Sequence, residues 1–521
     1  MHLALVHYHL RPGGVRRVLE QATPWILDKT LGRQGRVTLL CGEARDRAWI
    51  AAFAERIAPA KLVLVEHPAL GYTAEWSGPR SDLLLGVRSA IREALEETPA
   101  GETIVWAHNL GVGRNPVLAG ELAAACHQRS VPLVAHHHDW WFDNRWPRWA
   151  EMRALGLRTL RQAAEKLFPP HPEIRHAAIN GADARILRRR LPRRSFWAPN
   201  LAEPDSAAPP ERVETARRWL AERLGEKNPI VWLVPCRLLR RKNAAEALLL
   251  ARWLRPEAWL VVTGGASSSE ETPYSRMLCA AANQWGWKLK IGILQNAPKP
   301  APSVAELLAA SETALLTSLQ EGFGLGYLEA AAAGRPLIAR ALPNIMPDLE
   351  QFGFRFPHSY KEIWIDPALF DWKAERQRQR TLYRRWQKKI PERCRPWCGR
   401  PPALQARRPE PIPFSRLTLA GQLEALSKPA EESWRRCAPL NPQLASWRDA
   451  AAAGGLDPCV WPDSAAAWLS GPAYGERFAE ALSRPDPEPN DPGDSLELLE
   501  DFIRDRLESS NLYPLLWSAL T

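Results

Sequence analysis

Residues 317–338 read Thr-Ser-Leu-Gln-Glu-Gly-Phe-Gly-Leu-Gly-Tyr-Leu-Glu-Ala-Ala-Ala-Ala-Gly-Arg-Pro-Leu-Ile. An apolar run ends near Ser318, a loop with three glycines follows, and an Ala-rich stretch continues to Gly334. The Gly-Arg-Pro that ends this stretch is a helix stop, and a second apolar run begins directly after it. The segment therefore predicts strand, glycine-rich loop, helix and strand, which is the repeating unit of a parallel α/β sheet.

Two carboxylates bracket the glycine-rich loop. Glu321 lies before the loop and Glu329 lies in the first turns of the helix, with seven residues between them. The free N–H groups of the helix start, at the positive end of its dipole, lie between these two side chains. The arrangement suits a ligand that has a phosphate and two hydroxyl-rich ends. From the spacing alone, two solvated acids at a helix start remain the alternative.

The same alternation of apolar runs and amphipathic stretches extends outward in both directions. Runs that are apolar on both faces and separated by helices indicate parallel strands with crossover helices. The first set of runs is 3–8, 37–40, 62–65, 103–106, 132–135 and 176–179, and the second set is 230–234, 259–263, 289–294, 314–317 and 336–339. The sequence therefore predicts two Rossmann-like domains.

The domain boundaries follow from where the alternation pauses. We expect an N-terminal Rossmann-like domain over 1–200 and a linker with a first helix over 201–227. A C-terminal Rossmann-like domain would follow over 228–370, and residues 371–521 would form a basic segment and a helical extension. The expected fold class is α/β, with two Rossmann-like domains facing a cleft and a mainly helical, Pro-rich extension.

Composition excludes several classes of protein. The chain has 521 residues, of which 45% are hydrophobic and 24% charged, which is ordinary for globular proteins and unlike disordered or fibrous ones. Its eight cysteines are sparse, which favours reduced thiols over a disulfide framework. The chain start resembles a first strand more than a signal peptide, and no apolar run reaches the length of about 18 residues that spans a membrane. We expect a cytoplasmic protein, with association at the inner membrane face as an open alternative.

The positive charge is local. The net charge is +11, and residues 371–410 hold 13 Lys and Arg against four acids, together with several aromatic side chains. This mixture is typical of three situations: a solvated helix whose aromatics pack on the protein, a surface for an anionic membrane or acceptor, and a nucleic-acid surface. The first is preferred, peripheral membrane contact through 371–410 is second, and nucleic acid is third.

Several elements in a fixed order resemble the retaining glycosyltransferases of the GT-B fold, family 4, also described as glycosyl transferases group 1. The resemblance covers roughly residues 1–345. The matching elements are Gly13-Gly14 after the first strand, Pro199-Asn200 at the domain junction, the Arg237 to Lys242-Asn243 segment, Gly264-Gly265, and the two glutamates with seven residues between them. The glutamate pair together with the Arg and Lys at this spacing is the specific part of the match.

The resemblance implies roles for two cations of the second domain. Arg237 and Lys242 would neutralise the diphosphate of the donor as it leaves, because the leaving group gathers negative charge in the transition state. No divalent metal is then needed, and no cofactor is expected. A basic cluster at a helix start, together with Arg240 and Arg241, is the alternative interpretation.

The resemblance also implies contacts around the glycine-rich loop. Glu329 would accept hydrogen bonds from the ribose hydroxyls, and Glu321 would lie beside the transferred hexose. The backbone N–H groups that would touch sugar and phosphate are those of Phe323, Gly324 and Leu325.

In the first domain, Gly13 and Gly14 would contact phosphate or acceptor. The strand over 132–135 leads into His136-His137-His138, and family members often have a histidine here that faces the sugar. Which of the three does so is left open, with His138 preferred. Adjacent residues of a strand point to opposite faces, so the three cannot share one ion without a turn, and no metal site is predicted.

The function implied by the resemblance is transfer of a hexose from a nucleoside-diphosphate sugar to an acceptor hydroxyl, with retention of configuration. The partners would be the nucleotide-sugar donor and a sugar, small-molecule or lipid-linked acceptor. The domain over 228–370 would bind the nucleotide sugar, and the domain over 1–200 would lie on the acceptor side. Two alternatives stay open: a phosphate-dependent disaccharide phosphorylase of the same fold, and a non-catalytic scaffold or binding protein.

Overall fold

The structure is a computed structural model that describes residues 1–96, 99–204, 208–266, 268–484 and 492–517. Three pieces of the predicted linker and extension lie outside the described residues, namely 205–207, 485–491 and 518–521.

The chain forms two compact units, and each contains part of the C-terminal extension. Unit 1 consists of Met1–Ala202, Lys389–Trp397 and Ala466–Arg506. Unit 2 consists of Glu203–Lys388, Cys398–Ala465 and Leu507–Thr521. The domain boundaries given above stay predictions.

Unit 1 is built on a seven-stranded parallel sheet with the order β3-β2-β1-β4-β5-β6-β7. Its central strands are buried on both faces, as expected for strands covered by helices on both sides. The strands are β1 His2–His7, β2 Arg36–Cys41, β3 Lys61–Glu66, β4 Thr103–His108, β5 Leu133–His137, β6 Ile174–Ala178 and β7 Ser195–Trp197. The helices are α1 Gly14–Ile26, α2 Arg47–Ile57, α3 Arg80–Leu95, α4 Pro116–Gln128, α5 Pro147–Ala154, α6 Leu160–Leu167 and α7 Gly181–Arg190.

Unit 2 contains a six-stranded parallel sheet with the order β10-β9-β8-β11-β12-β13. The strands are β8 Val231–Val234, β9 Trp259–Val262, β10 Leu289–Ile291, β11 Thr313–Leu316, β12 Leu337–Arg340 and β13 His358–Tyr360. The helices are α8 Pro210–Leu224, α9 Ala244–Leu254, α10 Thr272–Trp285, α11 Val304–Ala310, α12 Leu325–Ala332 and α13 Met346–Gln351. The two parallel sheets confirm the predicted pair of Rossmann-like folds.

The C-terminal region is mainly helical, as predicted. A short antiparallel pair, β14 Trp364–Ile365 and β15 Ile412–Pro413, accompanies the helices. The helices are α14 Trp372–Gln387, α15 Pro402–Gln405, α16 Leu419–Leu426, α17 Ala430–Cys437, α18 Gln443–Ala452, α19 Ala466–Leu469, α20 Gly471–Ser483, α21 Pro492–Leu507 and α22 Pro514–Trp517. Side chains such as Phe414, Trp434 and Leu444 belong to the core of unit 2, so this region is part of the packed fold.

Parallel sheets of this kind bind ligands outside the carboxyl ends of their strands. In unit 1, the segments that follow β1, β3, β4 and β5 lie at this edge. In unit 2, the segments that follow β8, β9 and β11 do so. These segments contain the predicted site residues.

Candidate active site

The basic turn that follows β8 is fixed by its backbone. A single 3₁₀ turn, Arg240–Lys242, precedes Asn243, whose φ of 48° places it in the left-handed region. The N–H of Leu319 donates to the carbonyl of Arg241 at 2.7 Å, and the Thr317 hydroxyl donates to the carbonyls of Lys242 and Asn243 at 3.0 and 3.1 Å. The end of β11 therefore holds this turn against the glycine-rich loop.

Glu321 is the acceptor for two of the three cations of this turn. Lys242 Nζ donates to Glu321 Oε1, and Arg241 Nη1 lies 2.9 Å from Glu321 Oε2. The Glu321 side chain is only 15% exposed. Burial alone would raise its pKa, but the charges of Lys242 and Arg241 outweigh burial and hold the pKa of Glu321 at about 2. Glu321 is therefore ionised at every physiological pH.

The low pKa of Glu321 predicts how the stability of the protein depends on pH. Its folded-state pKa of about 2 is depressed from an ordinary value of 4.5, so its contribution is complete above about pH 4.5 and is lost as the pH falls toward 2. We expect the difference in melting temperature between wild type and Glu321→Gln to shrink over this interval. Thermal unfolding from pH 6 to pH 2.5 measures it, and a difference that stays constant with pH would contradict the ion pairs.

The glycine-rich loop needs glycine at one position above all. Gly324 has a φ of 85° and precedes α12 as its N-cap. A Cβ there would lie 2.6 Å from Cγ2 of Ile345, so both conformation and space require glycine. Phe323 is buried, while Leu325 and Glu329 are partly buried on the first two turns of α12. The loop thus presents the helix start that the sequence predicts.

Arg237 lies at the opposite end of the basic segment and, unlike Lys242, does not pair with Glu321. It is exposed, and its guanidinium forms no ion pair among the residues that the structure describes. A Cβ at Gly264 would lie 2.9 Å from the Arg237 Cα, so the turn after β9 packs closely on the backbone that bears Arg237. The structure therefore leaves this cation available to an anionic ligand.

A buried polar network lies behind the basic turn. Asn243 Nδ2 donates to Glu246 Oε2 at 3.0 Å, and Gln422 Nε2 donates to Asn243 Oδ1 at 3.2 Å. Glu246 also accepts from Tyr360 at 2.6 Å and pairs with Arg340, and both partners of that ion pair are at most 2% exposed. This network anchors the base of the turn in the core of unit 2.

In unit 1, the first glycine pair lies where the sequence places it. Gly13 is the N-cap of α1 and Gly14 is its first residue, and both are exposed at the carboxyl end of β1. The Gly13 backbone is extended, with a φ of 173°, so it is the absence of a side chain that keeps this helix start open. The open helix start is compatible with an approaching anion.

The His136-His137-His138 segment divides between the two faces of the sheet. His137 Nε2 lies 3.1 Å from His176 Nδ1, and its ring stacks on Trp140 at 4.2 Å. His136 and His138 lie together, with ring centroids 4.3 Å apart. The alternation expected of a strand is thus present, and His138 is the more exposed member of the pair.

His138 is held by residues from the neighbouring strand. Its Nε2 lies 2.9 Å from His108 Nδ1, and its backbone N–H donates to Asn109 Oδ1 at 2.9 Å. The same Asn109 oxygen accepts from the N–H of Asp139 at 3.1 Å. Burial lowers the pKa of His138 to about 4, with Asp139 opposing the shift, so His138 is neutral at pH 7.

Three of these histidines could share an ion. One ligand atom from each of His108, His136 and His138 lies within 4.8 Å of the others. The hydrogen bond between His108 and His138 already engages one nitrogen of each ring, whereas Nε2 of His108 and of His136 are buried and have no hydrogen-bond partner among the described residues. The absence of a metal site stays a prediction.

The structure adds residues that the sequence did not single out for the site. Arg241, grouped by sequence with an ordinary basic cluster, pairs with Glu321, and its adjacency to Lys242 was the available signal. Asn344 Nδ2 donates to the Glu321 carbonyl at 2.8 Å. Asn344 is distant in sequence from the group that it holds, so no sequence pattern points to it.

The basic window 371–410 is a half-buried helix followed by turns. Tyr383 and Trp386 are buried and pack on Trp517, with ring centroids 5.5 and 5.6 Å away. Cations such as Arg380 and Arg384 are exposed. Tyr383 and Trp386 therefore belong to the fold of unit 2, and exposed cations of the same helix face outward. No described helix combines the length and the apolar character needed to cross a membrane.

Comparison with curated proteins finds relatives of low identity. The chain is 25% identical over 352 residues to mannosylglucosyl-3-phosphoglycerate synthase of Petrotoga mobilis, covering 66% of this chain and 65% of that protein. It is 26% identical over 240 residues to mannosylglucosylglycerate synthase of Thermotoga maritima, covering 43% of this chain and 54% of that protein. The chain thus spans less than two thirds of the length of either relative.

Comparison with solved structures supports the fold. The crystal structure of Anabaena HepE in complex with UDP and glucose matches with a TM-score of 0.50 and 15% identity, covering 93% of this chain and 99% of that one.

The family model for glycosyl transferases group 1 matches residues 217–354, which include the basic turn, the glycine-rich loop and both glutamates. The resemblance seen in the sequence is confirmed: residues 217–354 form a glycosyl transferases group 1 domain, and the chain has the GT-B fold class.

Proposed function

We propose that the protein is a retaining hexosyltransferase that moves a hexose from a nucleoside-diphosphate sugar to an acceptor hydroxyl. The observation that carries the proposal is the contact of Lys242 and Arg241 with Glu321 beside the glycine-rich loop of the matched domain. Through this contact, Glu321 holds the two cations at the place where the diphosphate of the donor would lie. The curated relatives, whose names describe synthases of small glycosylated glycerates, favour a small-molecule acceptor over a lipid-linked one.

Unit 2 would bind the donor. Arg237 and Lys242 would take the diphosphate, and the N–H groups of the loop would contact sugar and phosphate. Glu329, on the second turn of α12, would accept from the ribose hydroxyls. Glu321 would contact the hexose while orienting Lys242 through their ion pair.

Unit 1 would bind the acceptor, through the open helix start at Gly13 and Gly14 and through His138. A neutral imidazole can donate or accept a hydrogen bond without carrying a charge into the site. His138, fixed by His108 and Asn109, would therefore orient a sugar hydroxyl.

The proton of the acceptor hydroxyl would go to the departing diphosphate. The bond from the anomeric carbon to the diphosphate oxygen breaks, the bond to the acceptor oxygen forms, and the nucleoside diphosphate leaves with the proton. Glu321, with its pKa of about 2, and His138, with its pKa of about 4, are too acidic to serve as efficient bases near pH 7.

The cations of 371–410 would give the protein a peripheral contact with an anionic membrane. The exposed positions on α14 support this, whereas the buried Tyr383 and Trp386 take no part in it. Co-sedimentation with vesicles containing phosphatidylserine tests the contact, and equal binding to neutral vesicles would contradict it.

A thermal-shift screen tests the proposed reaction class. We expect UDP, GDP or ADP and the matching sugar conjugate to raise the melting temperature, since a ligand at 100 times its Kd stabilises a protein by about 2.7 kcal/mol. A shift with inorganic phosphate and with none of the nucleotides would contradict the proposal and favour the phosphorylase. No shift with any of these ligands would favour the non-catalytic scaffold.

The proposal also predicts independence from divalent metal. Because Arg237 and Lys242 would neutralise the diphosphate, we expect the same initial rate of transfer in EDTA as in Mg²⁺ or Mn²⁺. Initial rates after dialysis against EDTA measure this. A loss of about tenfold or more that added metal restores would contradict the role of the cations.

A further inference from the structure

The segments at the carboxyl end of the unit 1 sheet bring together a group of arginines that the proposed reaction does not use. Arg114 follows β4, while Arg145 and Arg148 follow β5. Arg114 and Arg145 are partly buried, and Arg148 is only 14% exposed. Three guanidiniums therefore lie at the edge where parallel sheets bind ligands.

Arg114 differs from the other two arginines because its guanidinium contacts an aromatic ring and forms no ion pair with a described carboxylate. Its guanidinium carbon lies 4.5 Å from the centre of the Tyr72 ring. Within the described part of the chain, that guanidinium has neither a carboxylate partner nor a hydrogen-bond acceptor. Burial, together with the charges of Arg148 and Arg145, lowers the pKa of Arg114, and the opposing effects of Tyr72 and Glu151 do not cancel this shift. A half-buried cation held near other cations is unfavourable unless an anion joins it.

The neighbouring carboxylates serve the other two arginines. Arg145 Nη2 lies 3.1 Å from Asp139 Oδ1, and Arg148 pairs with Glu151. Neither acid forms an ion pair with Arg114. Two carboxylates thus pair with two of the three arginines. The N–H groups of the Arg114 guanidinium are therefore available to donate hydrogen bonds to a ligand.

The position of Arg114 is fixed by its surroundings. Both the N–H and the hydroxyl of Thr73 donate to the Arg114 carbonyl, at 3.0 and 2.9 Å. Tyr72, beneath the guanidinium, is held by a 3.0 Å hydrogen bond between its hydroxyl and His9 Nε2. An arginine that is already ordered loses little conformational freedom when it binds a ligand.

The arginine group is linked to the predicted acceptor residue. Asp139, which pairs with Arg145, directly follows His138, and Asn109 Oδ1 holds the N–H groups of both. A ligand on the arginines would therefore share this edge of the sheet with a hydroxyl oriented by His138.

We propose that Arg114, with Arg145 and Arg148, binds a carboxylate or phosphate group of the acceptor. Guanidinium groups suit such oxyanions because their N–H donors match two oxygens at once. The site makes the enzyme select an anionic acceptor over a neutral sugar. The assignment of this anion to the acceptor rests on the proposed function, whereas the binding of the anion does not.

Isothermal titration of the full chain tests the site without any transfer reaction. The probes are inorganic phosphate, 3-phosphoglycerate, glycerate and neutral glycerol. We expect wild type to bind at least one of the anions and not glycerol, and Arg114→Met to raise the Kd of that anion about tenfold or more, as expected for the loss of hydrogen bonds to a charged group. Tighter binding of the phosphorylated probes would assign the site to phosphate, and equal binding of glycerate would assign it to carboxylate.

The matched control is Arg88→Met, which removes an exposed arginine of the same unit that already pairs with Glu121 at 2.7 Å. Its anion binding should equal that of wild type. Anion binding by Arg114→Met that equals wild type, or no binding of any anion by wild type, would overturn the proposal. If Arg114→Met does not fold, Arg145→Met serves as the test variant, with the same expected loss.

Titration of the same variants with the nucleotide identified by thermal shift separates the two proposals. Arg114→Met should bind it as wild type does, because that ligand belongs to unit 2. Anion binding by wild type without any nucleotide binding would leave the anion site standing and remove the donor assignment. Nucleotide binding by wild type without any anion binding would support the donor assignment and overturn the anion site.

Discussion

Replacing Lys242 with alanine is expected to lower kcat for hexose transfer by about 10²-fold or more, as for the loss of one preorganised donor to a developing anion. Lys242 is 16% exposed and its ammonium contacts Glu321, so its position is set before a donor arrives. The loss should lie mainly in kcat, because the leaving diphosphate has more negative charge in the transition state than in the bound donor. Initial rates at saturating donor and acceptor measure it.

The matched control for this prediction is Lys288→Ala. Lys288 is a lysine of the same unit, 38% exposed, that pairs with Glu226 at 3.2 Å. Its replacement should leave kcat within about twofold of wild type, as expected for a surface ion pair. Near-normal turnover by Lys242→Ala would remove Lys242 from the donor site.

Replacing Arg340 with methionine should destabilise unit 2 by about 3–5 kcal/mol, the usual consequence of removing one partner of a buried ion pair. Arg340 is 2% exposed, pairs with the fully buried Glu246, and donates to Glu362 at 2.6 Å. Without Arg340, the Glu246 carboxylate would be left as a buried charge. Its remaining hydrogen-bond donors are neutral, and the Tyr360 hydroxyl at 2.6 Å is one of them. Urea unfolding followed by tryptophan fluorescence measures the loss.

Two further variants define the cause of this destabilisation. Arg217→Met, which removes a 54% exposed arginine of α8, should change the free energy of unfolding by about 0.5 kcal/mol or less. Adding Glu246→Gln to Arg340→Met should recover part of the lost free energy of unfolding, because the second change removes the unpaired buried carboxylate. A double variant less stable than Arg340→Met alone would contradict this explanation.

Much of the fold could be predicted from the sequence because its strands are apolar on both faces. The runs at 37–40 and 259–263 correspond to β2 and β9, for example. The strands β7 and β13 were missed because each is only three residues long and contains polar residues. Runs this short have no periodicity to detect, and their pairing with β6 and β12 defines them.

The site was predictable where its chemistry lies in one segment. The glycine-rich loop with Glu321 is such a segment, and so is the basic turn with Lys242. The pairing of Arg241 with Glu321 and the support of His138 by Asn109 join residues 80 and 29 positions apart. Only the parallel order of the strands brings these partners together, so the sequence alone could not connect them.

The most direct test of the central claim is the identity and anomeric configuration of the product. Purified protein in EDTA would be given UDP-glucose or GDP-mannose with glycerate, 3-phosphoglycerate or their glucosides, and the reaction followed by proton NMR. We predict release of the nucleoside diphosphate and a new glycosidic bond with the anomeric configuration of the donor. An inverted product, or a sugar phosphate formed from a disaccharide and inorganic phosphate without any use of nucleotide sugar, would contradict the account.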